Sequence, residues 1–172
     1  MIVTDPQSFL DAVQSLAPKP DLPATARAAF LVSPVDFALA AESARDNAYM
    51  DLDRKPDPLR ALAEHAELAH RLSEDVPIVT FPGDPDTNDG VFPNNAFATV
   101  AGRLIIGRMR HAVRQRETRR SDIRNWLGPL LGNEVVDLSS QDLVAELTGA
   151  LVIDRARGIG YCGLSERCNM AG

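Results

Sequence analysis

Lysine is nearly missing from this chain. Lys19 and Lys55 are the two it has, so arginine carries almost all the positive charge, and 18 basic side chains face 24 acidic ones. The net charge of −6 argues against a general nucleic-acid binder, whose affinity comes from Lys and Arg neutralising phosphates. A surface of that sign attracts small cations instead. Cysteine is scarce too: Cys162 and Cys168 lie six apart with no histidine cluster beside them. That excludes a disulfide framework and a zinc knuckle, and reads as two free thiols in a reducing compartment. Aromatic residues make up 5%, with Trp126 the one tryptophan, too few to build a base-stacking surface. No apolar run is long enough to span a bilayer, and the start MIVTDPQSFL lacks a basic region followed by an apolar one. The expectation is a cytoplasmic protein with no membrane partner.

What is present is ordinary for a globular protein: 45% apolar and 24% charged residues over 172 positions, the size of one domain, residues 1–172. Asp5-Pro6 is an N-cap and first-turn signature, after which Phe9, Val13 and Leu16 fall on one side of a short helix. A Pro-rich stretch, Pro18 to Pro23, follows. Ala29 to Ser33 reads as a buried strand closed by Pro34. Pro56 to Leu72 predicts an amphipathic helix with Leu59, Leu62, Ala63, Ala66 and Ala69 inward. Val76 to Phe81 predicts a strand, and Pro82 to Gly90 a loop. Ala96 to Val100 and Leu104 to Gly107 predict a hairpin around Ala101-Gly102-Arg103. Ile123, Trp126, Leu127, Leu130 and Leu131 predict a further amphipathic helix capped by Gly132. Glu134 to Leu138 reads as a strand, and Leu151 to Asp154 with Ile159 to Gly163 as a strand pair around Arg155 to Gly158. The recurring order of strand, strand, helix, strand is that of a repeat architecture, although no literal sequence repeat accompanies it.

The stretch Asp86-Thr-Asn-Asp-Gly-Val-Phe-Pro-Asn-Asn95 clusters carboxylates and amides around Val91-Phe92. It is expected to bury the Val-Phe pair and keep Asp89, Asn94 and Asn95 at a polar edge. Such acceptors suit a guanidinium, which offers five donors and no acceptor. An Asx-rich turn without a ligand has the same composition. From Arg103 to Arg124 the chain carries eight arginines, which alone read as a solvated face or a phosphate-binding patch. His111 reads as a loop histidine, and Glu146 taken alone as an ordinary carboxylate.

Four segments in order resemble the guanidine-modifying superfamily of arginine deiminases, amidinotransferases and dimethylarginine dimethylaminohydrolases, the penteins. They are Asp89-Gly-Val-Phe-Pro-Asn-Asn95; Gly107-Arg-Met-Arg-His-Ala-Val-Arg-Gln-Arg-Glu117; Glu146-Leu-Thr-Gly-Ala-Leu-Val-Ile-Asp-Arg155; and Tyr161-Cys-Gly-Leu-Ser-Glu-Arg-Cys-Asn169. Where hydrolases of the superfamily carry acidic residues, this chain has Asn94 and Asn95, and Cys168 stands where Thr is usual. The resemblance implies an α/β propeller of strand-strand-helix-strand (ββαβ) repeats, of which this chain supplies about the first half of a five-repeat ring. It implies Glu146 as the carboxylate that orients a catalytic histidine. It also implies Asp89, Asn94 and Asn95 on the guanidinium side of a substrate, and Arg108 and Arg167 on its carboxylate side. Neither cysteine matches the superfamily's nucleophile.

The implied reaction is thiolate attack on the guanidinium carbon of arginine or a derivative. Loss of ammonia or an amine follows, then hydrolysis by water or transfer to an acceptor amine. No metal and no organic cofactor is implied. With no counterpart of the catalytic His or Cys, the 172-residue chain is expected to be inactive alone, and its exposed strand edges imply weak stability, self-association or a need for the rest of the ring. A nonenzymatic binder of arginine-like ligands and a nucleic-acid binder using Arg103 to Arg124 are the alternative readings.

Overall fold

The first well-packed strand, β1 (Ala29–Val32), ends in the buried Val32, and its parallel neighbour β2 (Ile78–Phe81) ends in the buried Phe81. The structure is a computed structural model that describes residues 2–15, 25–35, 37–45, 47, 50–53, 55–87, 89–100 and 102–172. Leu16, the stretch from Pro18 to Pro23, Asn88 and Ala101 lie outside the described residues. Before β1 runs α1 (Pro6–Ser15), capped as expected, with the Asp5 carboxylate accepting from the Ser8 N–H at 2.9 Å.

A 3-10 turn (Ser43–Arg45) and α2 (Pro58–Ser73) separate β1 from β2. Asp57 caps α2, accepting from Leu59 N at 3.0 Å and Arg60 N at 3.2 Å. The inward stripe of α2 differs from the expected one. Leu59, Ala63 and Ala66 are exposed, and the half-buried residues are Ala61, Leu62, His65, Ala69 and Leu72. These keep the i, i+4 spacing of one face. Leu59, in the first turn of α2, is 78% exposed.

The middle sheet has the order β3-β4-β5. β3 (Phe97–Val100) and β4 (Arg103–Ile106) are antiparallel, and β4 pairs in parallel with β5 (Glu134–Asp137). Within β4, Leu104 and Ile106 are fully buried while Arg103 is exposed, the period-two signature of a strand with one face on the core. Between β4 and β5 come α3 (Ala112–Gln115), a 3-10 turn (Glu117–Arg119) and α4 (Ser121–Asn125), which runs on as a π-helical turn (Trp126–Leu130). The core joins Val32, Phe81, Phe97, Leu104, Ile106, Met109, Ile123 and Leu127. Trp126 meets Phe81 edge-on, with ring centroids 5.5 Å apart.

Leu130 and Leu131, expected on the inward face, are 72% and 52% exposed. The cause is the π turn: Leu131 N donates to Trp126 O, five residues back, at 3.2 Å. This extra residue in the turn rotates whatever follows off the core-facing stripe. Pro129 sits inside the turn and, lacking an N–H, cannot continue the regular ladder. Gly132 then ends the helix with φ +70°, as its position predicts.

The chain closes with α5 (Leu147–Ala150) and the antiparallel pair β6 (Leu151–Asp154) and β7 (Ile159–Cys162). The strand order therefore contains one complete ββαβ unit, β3-β4-α4-β5, preceded by β1-α2-β2 and followed by β6-β7. Among the described residues, no helix is long and apolar enough to cross a membrane.

Candidate active site

Five stretches of chain converge on one open cavity of about 200 Å³, lined among others by Ser43, Asp89, Asn95, Arg114, Glu146 and Arg167. Asn47, Met50, Phe92 and His111 complete its wall. Of the residues singled out in the sequence, Asp89, Asn95, Glu146 and Arg167 are brought together here.

Asp89 is carried by the loop between β2 and β3, which folds as consecutive turns: Gly90 N donates to Thr87 O and Phe92 N to Asp89 O, each at 2.9 Å. The carboxylate is 2% exposed. Its Oδ2 accepts from Ser43 Oγ at 2.5 Å, and its Oδ1 is buried with no hydrogen-bond partner. Leaving a buried acceptor unsatisfied costs about 1–3 kcal/mol, and more when it is charged.

Glu146, 3% exposed, is placed by backbone pairing. Ala145 exchanges two hydrogen bonds with Arg108, at 2.9 and 3.0 Å, and Glu146 N donates to Arg167 O at 2.8 Å. Gly107 permits the approach, since a Cβ there would lie 2.6 Å from Ala145 O. The Glu146 carboxylate accepts from Arg110 N at 3.0 Å and from Arg167 Nη1 at 3.1 Å.

Arg114 and Glu117, missed in the sequence as anything beyond a charged face, form a buried two-point ion pair at 2.6 and 2.9 Å. Arg114 Nη2 also reaches Phe92 O at 3.3 Å. Burial pushes the Glu117 carboxyl above the usual range despite this pairing, and the nearby Asp89 and Glu146 push it the same way. On Arg114 burial acts to lower the pKa but is outweighed by Glu117, Asp89 and Glu146, so its guanidinium stays charged. Asp89, Glu117 and Glu146 are three buried carboxylates against the buried Arg114 and the half-buried Arg167. Of these, Asp89, Glu146, Arg114 and Arg167 line the cavity, two carboxylates facing two guanidiniums, while Glu117 is held by Arg114 outside the lining. The signal for the pair was the i, i+3 spacing of opposite charges. Ser43, Asn47 and Met50 had no comparable signal.

Two expected site residues lie elsewhere. The Arg108 side chain points to Ser139 O, 3.0 Å from Nη1, and its share in the site is the backbone pairing with Ala145. Asn94 is exposed, its carbonyl accepting from Thr148 Oγ1 at 2.8 Å. Phe92, expected to be buried, is 48% exposed: its ring stands edge-on to Phe37 and the residue lines the cavity. The arginine-rich stretch is not a uniformly solvated face either. Arg114, Arg116, Arg120 and Arg124 donate to the carbonyls of Phe92, Asp86, Pro82 and Thr118. Among the described residues no group of three or more His, Cys, Asp or Glu is arranged to hold a metal.

Residues 33–172 match the family of N,N dimethylarginine dimethylhydrolase, eukaryotic, and the chain belongs to it. This bears out the resemblance read from the four motifs. Among solved structures, the chain is similar to apo ArgZ, an arginine dihydrolase from the ornithine-ammonia cycle in Cyanobacteria (TM-score 0.70, 21% identity, 84% of this chain and 21% of that one). It is also similar to the substrate-bound N-terminal domain of ArgZ (TM-score 0.66, 20% identity, 84% and 51%). A third is a dimethylarginine dimethylaminohydrolase carrying an adduct with 4-chloro-2-hydroxymethylpyridine (TM-score 0.63, 22% identity, 86% and 53%). These likenesses show a shared mixed α/β fold, and the chain spans from about a fifth to about half the length of these proteins. No curated protein matches it by sequence.

Proposed function

We propose that the cavity binds the guanidino group of arginine or an arginine derivative. Asp89 and Asn95 contact the guanidinium, Glu146 is the carboxylate that would orient a catalytic histidine, and Arg167 stands at the carboxylate end of the substrate. The observation that carries this reading is Asp89, a buried carboxylate lining the cavity whose Oδ1 has no hydrogen-bond partner. A planar cation with several N–H donors satisfies it. Dimethylarginine and arginine, the compounds named by the family and by the ArgZ structures, are cations of that kind.

In this reading the chain is part of a ββαβ propeller that hydrolyses the guanidino group, or transfers its amidino group, by covalent cysteine catalysis. Neither cysteine lines the cavity among the described residues. The 172-residue chain therefore binds without turning over, since loss of a nucleophile removes most of the rate a catalytic unit supplies. The same observation favours the nonenzymatic reading, in which binding is the whole function. The engagement of the arginine-rich stretch with backbone carbonyls weighs against nucleic acid as a partner.

Titration calorimetry with arginine and N,N-dimethylarginine on the 172-residue chain, paired with an ammonia-release assay, tests the proposal. Binding that disappears in Asp89→Asn, with no ammonia above a protein-free blank, is the expected result. Binding unaffected by that substitution overturns the ligand reading, and ammonia release overturns inactivity.

A further inference from the structure

The site leaves the cysteines unused, yet the fold brings their sulfurs together: Cys162 Sγ and Cys168 Sγ are 3.3 Å apart. We propose that Cys162 and Cys168 are a redox-modification site, a dithiol that closes to an intramolecular disulfide and clasps the 163–167 loop carrying Arg167.

The geometry favours closure inside one chain. A disulfide has sulfurs about 2.05 Å apart, so the pair needs an approach of only about 1.3 Å. Both ends are held. Cys162 is the last residue of β7, paired with Leu151. Cys168 bridges Ala145 and Ser165, exchanging backbone bonds with Ser165 at 2.9 and 3.3 Å. The bond would tie the β6-β7 hairpin to the segment that carries Glu146. Arg167, between these anchors, has its carbonyl on Glu146 N and its guanidinium on Glu146 Oε2.

The two thiols are unequal in a way that sets the order of reaction. Cys162 is exposed and meets an oxidant from solvent; Cys168 is buried. Burial, reinforced by the neighbouring sulfur, pushes the Cys168 thiol up to about 11. With a low-molecular-weight disulfide RSSR as oxidant, the Cys162 thiolate attacks one sulfur, forming Cys162–S–S–R and releasing RSH. Cys168 then loses its proton and attacks Cys162 Sγ, forming the internal bond and releasing the second RSH. Two protein thiols are oxidised and one RSSR is reduced to two RSH. This site requires no occupant of the cavity, so it stands whether or not the guanidino reading does.

The test equilibrates the full chain with glutathione and oxidised glutathione, folded and in urea, then quenches, alkylates and maps peptides by mass spectrometry. The expected product is a monomer lacking two hydrogens with a 162–168 cross-linked peptide. Its equilibrium constant should exceed that of the urea-denatured chain at least about tenfold, because the fold pre-positions the sulfurs. Cys168→Ser should halt at one glutathione adduct on Cys162, and Cys162→Ser should leave Cys168 unmodified. Equal constants folded and unfolded, glutathione adducts on both cysteines, or disulfides between chains overturn the proposal.

Discussion

Ser43 Oγ donates to Asp89 Oδ2 at 2.5 Å across a separation of 46 residues, and in doing so leaves Oδ1 of the same carboxylate buried and unmatched. A serine on a short turn after β1 thus satisfies one oxygen of a loop aspartate that lines the cavity. The site depends on this long-range pairing as much as on the motif that contains Asp89.

Asp89→Asn should lower both stability and affinity. It turns the Ser43 contact into a bond to a neutral amide and puts an amide N–H2 where the unpartnered oxygen was, a cost of about 1–3 kcal/mol, and loss of a charge-assisted bond of about 1.5–3 kcal/mol should weaken guanidinium binding about 10- to 100-fold. Urea melts of the ligand-free chain and calorimetry measure the two effects. A variant as stable as wild type and equally good at binding would contradict the assignment.

Ser43→Ala should destabilise the chain by about 1.5–3 kcal/mol, the range for a hydrogen bond to a charged group, because both Asp89 oxygens then lack a protein partner. The double variant Ser43→Ala with Asp89→Asn should lose much less than the two single effects added together. Additive losses in a double-mutant cycle would mean that the contact contributes little.

Arg114→Met should cost about 3–5 kcal/mol, because it strands Glu117 in the interior. Replacing both, Arg114→Met with Glu117→Leu, should recover most of that loss. Denaturant midpoints of the three variants decide it, and a double variant as unstable as the single one would show that the pair contributes more than mutual neutralisation.

His65 lies on the inward stripe of α2 with a buried Nε2 that has no partner. Burial lowers its pKa from the ordinary 6.5, against a backbone hydrogen bond with Val32 that raises it. The unfolded chain therefore takes up the proton first, so this residue's contribution to stability is present above pH 6.5 and is lost as pH falls below it. Wild type should lose stability relative to His65→Leu across that window. Parallel stability curves for the two proteins from pH 7 to pH 5, checked by urea titration, would refute the effect.

Much of the fold was legible because it is local. The Asp57 and Asp5 caps, the Gly132 stop and the alternation in β4 each arise from neighbours along the chain. The misreadings came from distant influences. Leu130 and Leu131 fit the helical template, but a π turn at Pro129 rotated them outward. Phe92 looks like a core residue, and its exposure reflects a cavity wall that only the meeting of five segments creates. Arg114 looked like one arginine of eight until Glu117 and the Phe92 carbonyl enclosed it.

By itself the sequence determined the family, through four ordered motifs, and set acidic and amide groups on a loop between two strands. The tertiary structure alone decided which of those groups share a cavity. It drew in Ser43 and Arg114, turned the Arg108 side chain away to Ser139, and set Cys162 against Cys168. Pairings of this kind span tens of residues. They follow from strand register and close backbone approach at Gly107, which no local pattern of side chains encodes.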